Sequence, residues 1–187
     1  MSVPATVTMD VTASVVRALC LYATAEIQSG HATTLHITAQ GNSFSVADDG
    51  RGHSVDRGVA GAPYLQFIYT QLDYPFGLAE GGPVQLQGIG MSLLNVLCSD
   101  LSVTVRKPNK TLQLTYKAGR LCDEACVDTL TQSTGTTVCG TIIPQLQQQP
   151  TDVDRIEAWL ESVLAAHPAI KLHFNGKAIH APSSTAA

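Results

Sequence analysis

The sequence predicts an α+β fold, a two-layer α/β sandwich in which helices cover one face of a mixed, mostly antiparallel sheet. Helical patterns occur near the start, the middle and the end of the chain, and strand patterns follow one another directly in two places. Adjacent strands favour antiparallel or mixed pairing over the alternating order of a doubly wound fold. No linker divides the 187 residues, so we expect one domain over residues 1–187. Its core should cover about residues 10–178, followed by a polar tail over 179–187.

The first helix and the first hairpin have the clearest local signals. Residues 10–29 place apolar side chains on one helical face. Those side chains are Val11, Val15, Leu19, Tyr22, Ala23 and Ile27. Asp10 or Thr12 can cap the helix start, and Gly30 should end it. Residues 33–39 and 42–48 then alternate apolar and polar side chains around Gly41-Asn42, which predicts two antiparallel strands.

A long loop separates this hairpin from the second half of the chain. It runs from His53 to Gln87, with a short helix expected at 63–72 and a glycine-hinged segment at 79–87. Loops of this length inside a domain are usually binding loops or lids. The elements expected after it are a helix at 91–100 that buries Leu93, Leu94 and Leu97, strands at 101–107, 111–119 and 135–144, a helix at 153–167 and a strand at 169–176.

Composition excludes several classes of protein. Charged residues make up 14% of the chain, below the usual ~25%, which hints that a ligand or protein partner covers part of the surface. The net charge is −4, and Arg106-Lys107 is the densest basic cluster, so we expect no direct binding to nucleic acid. There is no signal-peptide pattern and no apolar run of the ~20 residues that span a membrane. We therefore expect a soluble, cytoplasmic protein.

The cysteines and histidines give no strong sign of a metal. Five cysteines, an odd count spread through apolar stretches, suit a reducing compartment. Cys122 and Cys126 could form half of a metal site, but no second pair at ligand spacing completes it. The six histidines are scattered, and we interpret each as structural or surface-exposed. No metal site is predicted.

Three glycine-bearing segments fall in an order that can build a nucleotide pocket. Asp48-x-Gly50-x-Gly52 ends a strand, where a half-buried carboxylate can accept a hydrogen bond from an exocyclic amine. Gly88-x-Gly90 opens a helix, whose free backbone N–H groups bind anions. Thr134-Gly135-Thr136 enters a strand and offers hydroxyl groups. Alone, the first segment is more typical of an ordinary turn; the three together favour the pocket.

The chain resembles the ATP-binding domain of the DNA gyrase B subunit. EIQSGHATTLHITAQGNSFSVADDGRG is similar to the end of its long helix, its hairpin and its adenine-binding box. The family's phosphate-binding glycines resemble QGIGMSLLNVLCSDLSVTVRK, and its threonine box resembles STGTTVCGTIIP. Its closing helix and strand resemble VDRIEAWLESVLAAHPAIKLHFNGK. The resemblance covers residues 12–178 and implies the Bergerat fold of the GHKL superfamily.

The resemblance implies roles for residues on both sides of the pocket. Asp48 should bind the adenine amino group and Thr136 should support that hydrogen-bond network. Gly50 and Gly52 should let the base approach the backbone. On the phosphate side, Gly88 and Gly90 should hold phosphate oxygens through their backbone N–H groups.

Glu26 and Arg51 match a salt-bridged pair that flanks the base in this family. The alternative for Glu26 and Arg51 is an ordinary surface ion pair, which typically contributes less than about 1 kcal/mol. The sequence leaves both interpretations open.

The chain departs from this family at its catalytic residues. The long helix should carry a Glu that polarises water and, four residues later, an Asn that holds Mg²⁺; these positions are Ala18 and Tyr22. Neither side chain can do this chemistry, and loss of a general base alone costs about 10²–10⁴ in rate. We therefore expect a domain that binds ATP or ADP weakly or without Mg²⁺, does not hydrolyse it, and serves as a regulator or partner-binding module. The alternatives are a scaffold protein with an empty pocket and an ATPase subunit completed by another chain.

Overall fold

The computed structural model describes residues 9–55, 58–59, 62–70 and 90–180. In those ranges the helices are α1 (Val11–Gln28), α2 (Tyr64–Thr70), α3 (Met91–Leu97) and α4 (Val153–Ala166). The strands are β1 (Thr34–Gln40), β2 (Ser43–Asp48), β3 (Gly58–Val59), β4 (Ala62–Pro63), β5 (Cys98–Lys107), β6 (Lys110–Lys117), β7 (Arg120–Asp128), β8 (Gly135–Ile142), β9 (Lys171–Phe174) and β10 (Lys177–Ile179). A 3-10 turn spans Pro144–Leu146.

Eight of the strands form one sheet in the order β10-β9-β1-β2-β8-β5-β6-β7, and β3 pairs with β4 separately. The pairing of β1 with β9 is parallel, and the other pairings in the sheet are antiparallel. Helix α1 packs on β1 and β2, and α4 packs on β9 and β10. The structure confirms the predicted α+β sandwich with a mixed, mostly antiparallel sheet.

Helix α1 forms as its sequence predicts. The Asp10 side chain accepts a hydrogen bond from the backbone N–H of Ala13 at 2.9 Å, which caps the first turn. Val15 and Leu19 are buried, whereas Tyr22 is half-buried. Gly30 follows the helix with φ +73°, a conformation that glycine adopts without steric cost. Because this face lies over β1 and β2, the helix forms one wall beside the end of β2.

The end of α3 differs from the prediction. The helix stops at Leu97, and Cys98 is already extended and paired with Ile142 of β8. Met91 and Leu94 are buried, but Leu93 is 44% exposed, so its predicted burial was wrong. A helix this short buries positions three residues apart, and Leu93 lies off that face.

Two strands of the eight-stranded sheet, β7 and β10, were not predicted, and neither was the separate pair β3 and β4. Strand β7 lies at the sheet edge, and most of its side chains are exposed, so it lacks the alternation that marks a half-buried strand. Strand β10 is three residues long and pairs with β9. Its Ile179 is buried, so the core reaches past the predicted limit at residue 178. The predicted loop at 79–87, Gly88 and the tail at 181–187 lie outside the described residues.

Candidate functional site

A cavity of about 140 Å³ lies where α1 meets the ends of β2 and β8. Its walls are mostly apolar, with a few polar groups and two carboxylates among them. The residues that line it are Leu19, Tyr22, Ala23, Glu26, Val46, Asp48, Gly52, His53, Tyr69, Met91, Thr136 and Val138. An apolar cavity with a few convergent polar groups is the usual form of a small-molecule site.

Asp48 is the central acceptor of this cavity. Its Oδ1 accepts a hydrogen bond from the backbone N–H of Gly50 at 2.9 Å, and the backbone N–H of Thr136 also bonds to the carboxylate. Burial raises the pKa of Asp48 above its ordinary value, and these two N–H groups oppose the rise. Thr136 itself is buried, at 7% exposure. The carboxylate is therefore oriented by backbone groups and faces a largely apolar space.

Close backbone approaches explain the glycines around Asp48. A side chain at Gly50 would lie 2.9 Å from Oδ1 of Asp48. Gly52 has φ +70°, and a side chain there would meet the carbonyl oxygens of Arg106 and Gly135 at 3.0 and 3.1 Å. A larger residue at either position would force the loop to move. The two glycines therefore keep the space beside the Asp48 carboxylate open.

Glu26 and Arg51 form an ion pair at the mouth of the cavity. Oε1 of Glu26 lies 2.8 Å from Nη2 of Arg51, and Oε2 accepts from Nε and from the backbone N–H of Arg51, each at 3.1 Å. These bonds lower the pKa of Glu26 to about 2. The pair ties α1 to the loop after β2. Because the Arg51 side chain is 60% exposed, water strongly screens the electrostatic attraction between Glu26 and Arg51.

No family model matches the chain. It is 35% identical over 118 residues to the DNA gyrase B subunit of Streptococcus pyogenes serotype M3, which covers 60% of this chain and 18% of that protein. It is 29% identical over 160 residues to the DNA topoisomerase 4 B subunit of Mycoplasma genitalium, covering 80% of this chain and 25% of that protein. A solved topoisomerase IV ATP binding domain of Francisella tularensis, in complex with a small-molecule inhibitor, superposes with a TM-score of 0.73 at 22% identity, over 86% of this chain and 79% of that one. The chain is thus homologous to part of the gyrase B and topoisomerase IV B subunits, and it has the fold of a topoisomerase ATP-binding domain.

The matched relatives are much longer than this gyrase-B-like domain. The chain spans 18% of the Streptococcus pyogenes protein and 25% of the Mycoplasma genitalium protein. None of the described helices combines the length and the apolar character needed to cross a membrane.

Two basic residues organise the site, although the sequence marked them only as a weak basic cluster. Nη1 of Arg106 donates to Oγ1 of Thr137 at 2.9 Å, and its Nη2 donates to the carbonyl oxygen of Asp48 at 3.3 Å. Nζ of Lys107 donates to the carbonyl oxygens of Arg51 and Gly52 at 2.8 and 3.0 Å. Both residues end β5, two strands from β2, so their role depends on the order of strands in the sheet.

Of the two α1 positions where the chain departs from the family, Tyr22 lines the cavity and Ala18 is not among its lining residues. Tyr22 lines the cavity and is half-buried, and burial raises its pKa. Ala18, one turn earlier, is 3% exposed and carries only a methyl group. The helix face over the cavity therefore offers a phenol and apolar groups, with Glu26 at its far end engaged by Arg51.

The sequence pattern marked neither His53 nor Tyr69 as a cavity residue. His53 follows the glycine-bearing loop, and burial together with the charge of Lys107 lowers its pKa. Tyr69 is fully buried on α2, and its hydroxyl has no hydrogen-bond partner among the described residues. Helix α2 comes from the long loop region, so its packing against the rest of the fold is what brings Tyr69 to the cavity.

Gly90 precedes the first residue of α3. It has φ −61° and ψ 149°, and no side chain caps the helix. A side chain at Gly90 would meet no atom within 4 Å, so neither its backbone conformation nor its surroundings require glycine. Phosphate binding by Gly90 therefore stays a prediction, and Gly88 lies outside the described residues.

Proposed function

We propose that this gyrase-B-like domain binds an adenine nucleotide, ATP or ADP, and does not hydrolyse it. The observation that carries the proposal is the Asp48 carboxylate, held by two backbone N–H groups inside an apolar cavity. Such an acceptor can take a hydrogen bond from the exocyclic amine of adenine, and the apolar walls can pack against its ring. The solved structure of similar fold is described as an ATP binding domain, which supports the same ligand class.

The residues that would hold adenine are those predicted from the sequence. The Asp48 carboxylate would accept a hydrogen bond from the adenine amine, and Thr136 would support that hydrogen-bond network. Gly50 and Gly52 would leave space for the adenine ring. Gly88 and Gly90 are the proposed phosphate contacts. Glu26, which lines the cavity, links α1 to the loop after β2 through Arg51.

The donors for a catalytic Mg²⁺ do not fit. Mg²⁺ prefers carboxylate, carbonyl or water oxygens, and α1 offers the phenol of Tyr22 where the family has an amide. Both oxygens of Glu26 are already bonded to Arg51. Ala18 has no lone pair to orient water. The described residues of this site therefore do not form a catalytic Mg²⁺ site.

We propose a regulatory or partner-binding role for this domain in the cytoplasm, because its five cysteines are free thiols.

Isothermal titration calorimetry with ATP and ADP, each with and without Mg²⁺, tests this function. We expect binding that Mg²⁺ does not strengthen, and no phosphate release on incubation with ATP. Asp48→Asn is the matched variant, because it keeps the shape and the acceptor for Gly50 but turns an N–H group toward the ligand amine. Loss of a charge-assisted hydrogen bond should weaken binding about tenfold or more. Unchanged affinity in Asp48→Asn, or turnover of ATP, would contradict the proposal.

A scaffold role is the second candidate, and Tyr22 favours it. Its ring lies in the cavity wall at the position expected to face phosphates, so it can occupy part of that space. In that case no adenine compound binds at any Mg²⁺ concentration, and the domain acts through its surface alone. The same titration separates the two candidates.

A further inference from the structure

We infer that His53 is a ligand-positioning residue of the cavity, and that its imidazole N–H donates a hydrogen bond to a ring nitrogen of the adenine base. The inference rests on the proposed function and specifies how the base is recognised. Three observations carry it. The imidazole lines the cavity, its nitrogens are accessible and make no hydrogen bond within the described ranges, and it shares a loop with the proposed acceptor for the adenine amine.

The imidazole of His53 is a polar group that a ligand in the cavity can reach. It lines the cavity and is half-buried, so part of the ring keeps accessible surface. No hydrogen bond joins the imidazole to another of the described residues, and neither of its nitrogens is among their fully buried polar atoms without a partner. The nitrogens are therefore exposed in part. The hydroxyl of Tyr69 differs, because protein encloses it completely.

The surroundings of His53 favour the neutral imidazole. Burial lowers its pKa, the positive charge of Lys107 lowers it further, and the carboxylate of Glu26 opposes the shift. Lys107 is held beside this loop by its hydrogen bonds to the carbonyl oxygens of Arg51 and Gly52. A neutral imidazole has one N–H donor and one acceptor nitrogen. It can therefore bind an uncharged base without bringing a second positive charge next to Lys107.

The acceptors of adenine complement this donor. In the proposed complex Asp48 accepts from the exocyclic amine, and the ring nitrogens on either side of that amine, N1 and N7, are acceptors. An acceptor that is buried without a donor lowers the affinity. The ionised carboxylates of Asp48 and Glu26 cannot donate. His53 follows Asp48 by five residues and is the side-chain donor that the loop after β2 contributes to the cavity lining in the described ranges.

Calorimetric titration of the intact chain with ADP and with its 1-deaza and 7-deaza analogues tests this contact. Each analogue replaces one ring nitrogen, N1 or N7, by C–H and so removes one acceptor. His53→Phe keeps a planar ring without a nitrogen, and we expect it to weaken ADP binding about threefold to tenfold. The same substitution should leave unchanged the affinity for the analogue that lacks the contacted nitrogen, because the hydrogen bond is already absent there.

His36→Phe is the matched control, because His36 is an exposed residue of β1 that is not among the residues lining the cavity. It should bind ADP as the wild type does. His53→Leu, which also lacks a donor, takes the place of His53→Phe if the larger ring prevents folding. Wild-type ADP affinity in the His53 variant, or an equal loss of affinity for ADP and for both analogues, overturns the inference and leaves the proposed function standing. Failure of the wild type to bind ADP removes both.

Discussion

Gly135→Ala tests how closely the backbone of β8 approaches Asp48. Gly135 begins β8 with φ +130°, a conformation that residues with a side chain rarely adopt. A methyl group there would overlap the carbonyl oxygen of Asp48 and would lie 3.1 Å from Nη2 of Arg106. The backbone must therefore rotate and β2 must move away from β8, which disturbs the hydrogen bonds that orient Asp48.

The expected loss of stability follows from these two effects. Backbone strain of this kind costs about 1–3 kcal/mol, and overpacking of a close contact costs about 1–3 kcal/mol more. The free energy of unfolding should fall by about 2–6 kcal/mol, a large part of the ~5–15 kcal/mol that stabilises a typical domain. Urea denaturation followed by the fluorescence of Trp159, the one tryptophan of the chain, measures the change.

Gly90→Ala is the matched control for this experiment. Gly90 has φ −61°, and a side chain there meets no atom within 4 Å, so the unfolding midpoint should stay close to that of the wild type. Equal midpoints for Gly135→Ala and Gly90→Ala would show that β8 does not approach Asp48 this closely.

Three further substitutions test the site and its supports. Ala18→Glu combined with Tyr22→Asn should raise nucleotide affinity about tenfold or more in the presence of Mg²⁺, as measured by calorimetry. A variant that folds but shows no such gain would contradict the register assigned to α1. Glu26→Gln should reduce stability at neutral pH, but the deficit should shrink below pH 4.5. The reason is that ionised Glu26 stabilises the fold at pH values above its ordinary pKa, and this stabilisation is lost as the pH falls toward about 2. Urea denaturation from pH 6 to 2.5 measures the difference in unfolding free energy between Glu26→Gln and the wild type. A difference that stays constant over this range would contradict the prediction. Asp49→Ala should lower the free energy of unfolding by about 1 kcal/mol in the same assay. The Asp49 carboxylate accepts hydrogen bonds from N and Oγ1 of Thr33 at 2.7 and 2.6 Å. An unchanged free energy of unfolding would mean that water replaces these bonds.

Local signals account for the elements that the sequence predicted well. The apolar face of α1, its Asp10 cap and Gly30 lie within one segment, and each acts over a few residues. The strand before Asp48 alternates apolar and polar side chains because one face of β2 is buried. The Asp48 to Gly52 loop and Thr136 were located by resemblance to a family with the same order of segments. The structure brings these residues to one cavity, whereas their ligand remains a proposal.

The side-chain chemistry available on α1 can be stated from the amino-acid sequence without any coordinates. The proposal that this helix lacks the family's water-polarising and metal-binding groups rests on the methyl group of Ala18 and the phenol of Tyr22, which are properties of the side chains themselves. The three-dimensional packing was needed to show that Tyr69 reaches the cavity and that Lys107 bonds the loop after β2. Those contacts depend on which strands are neighbours and on how α2 packs. Such long-range packing leaves no periodic trace in a single segment of the chain.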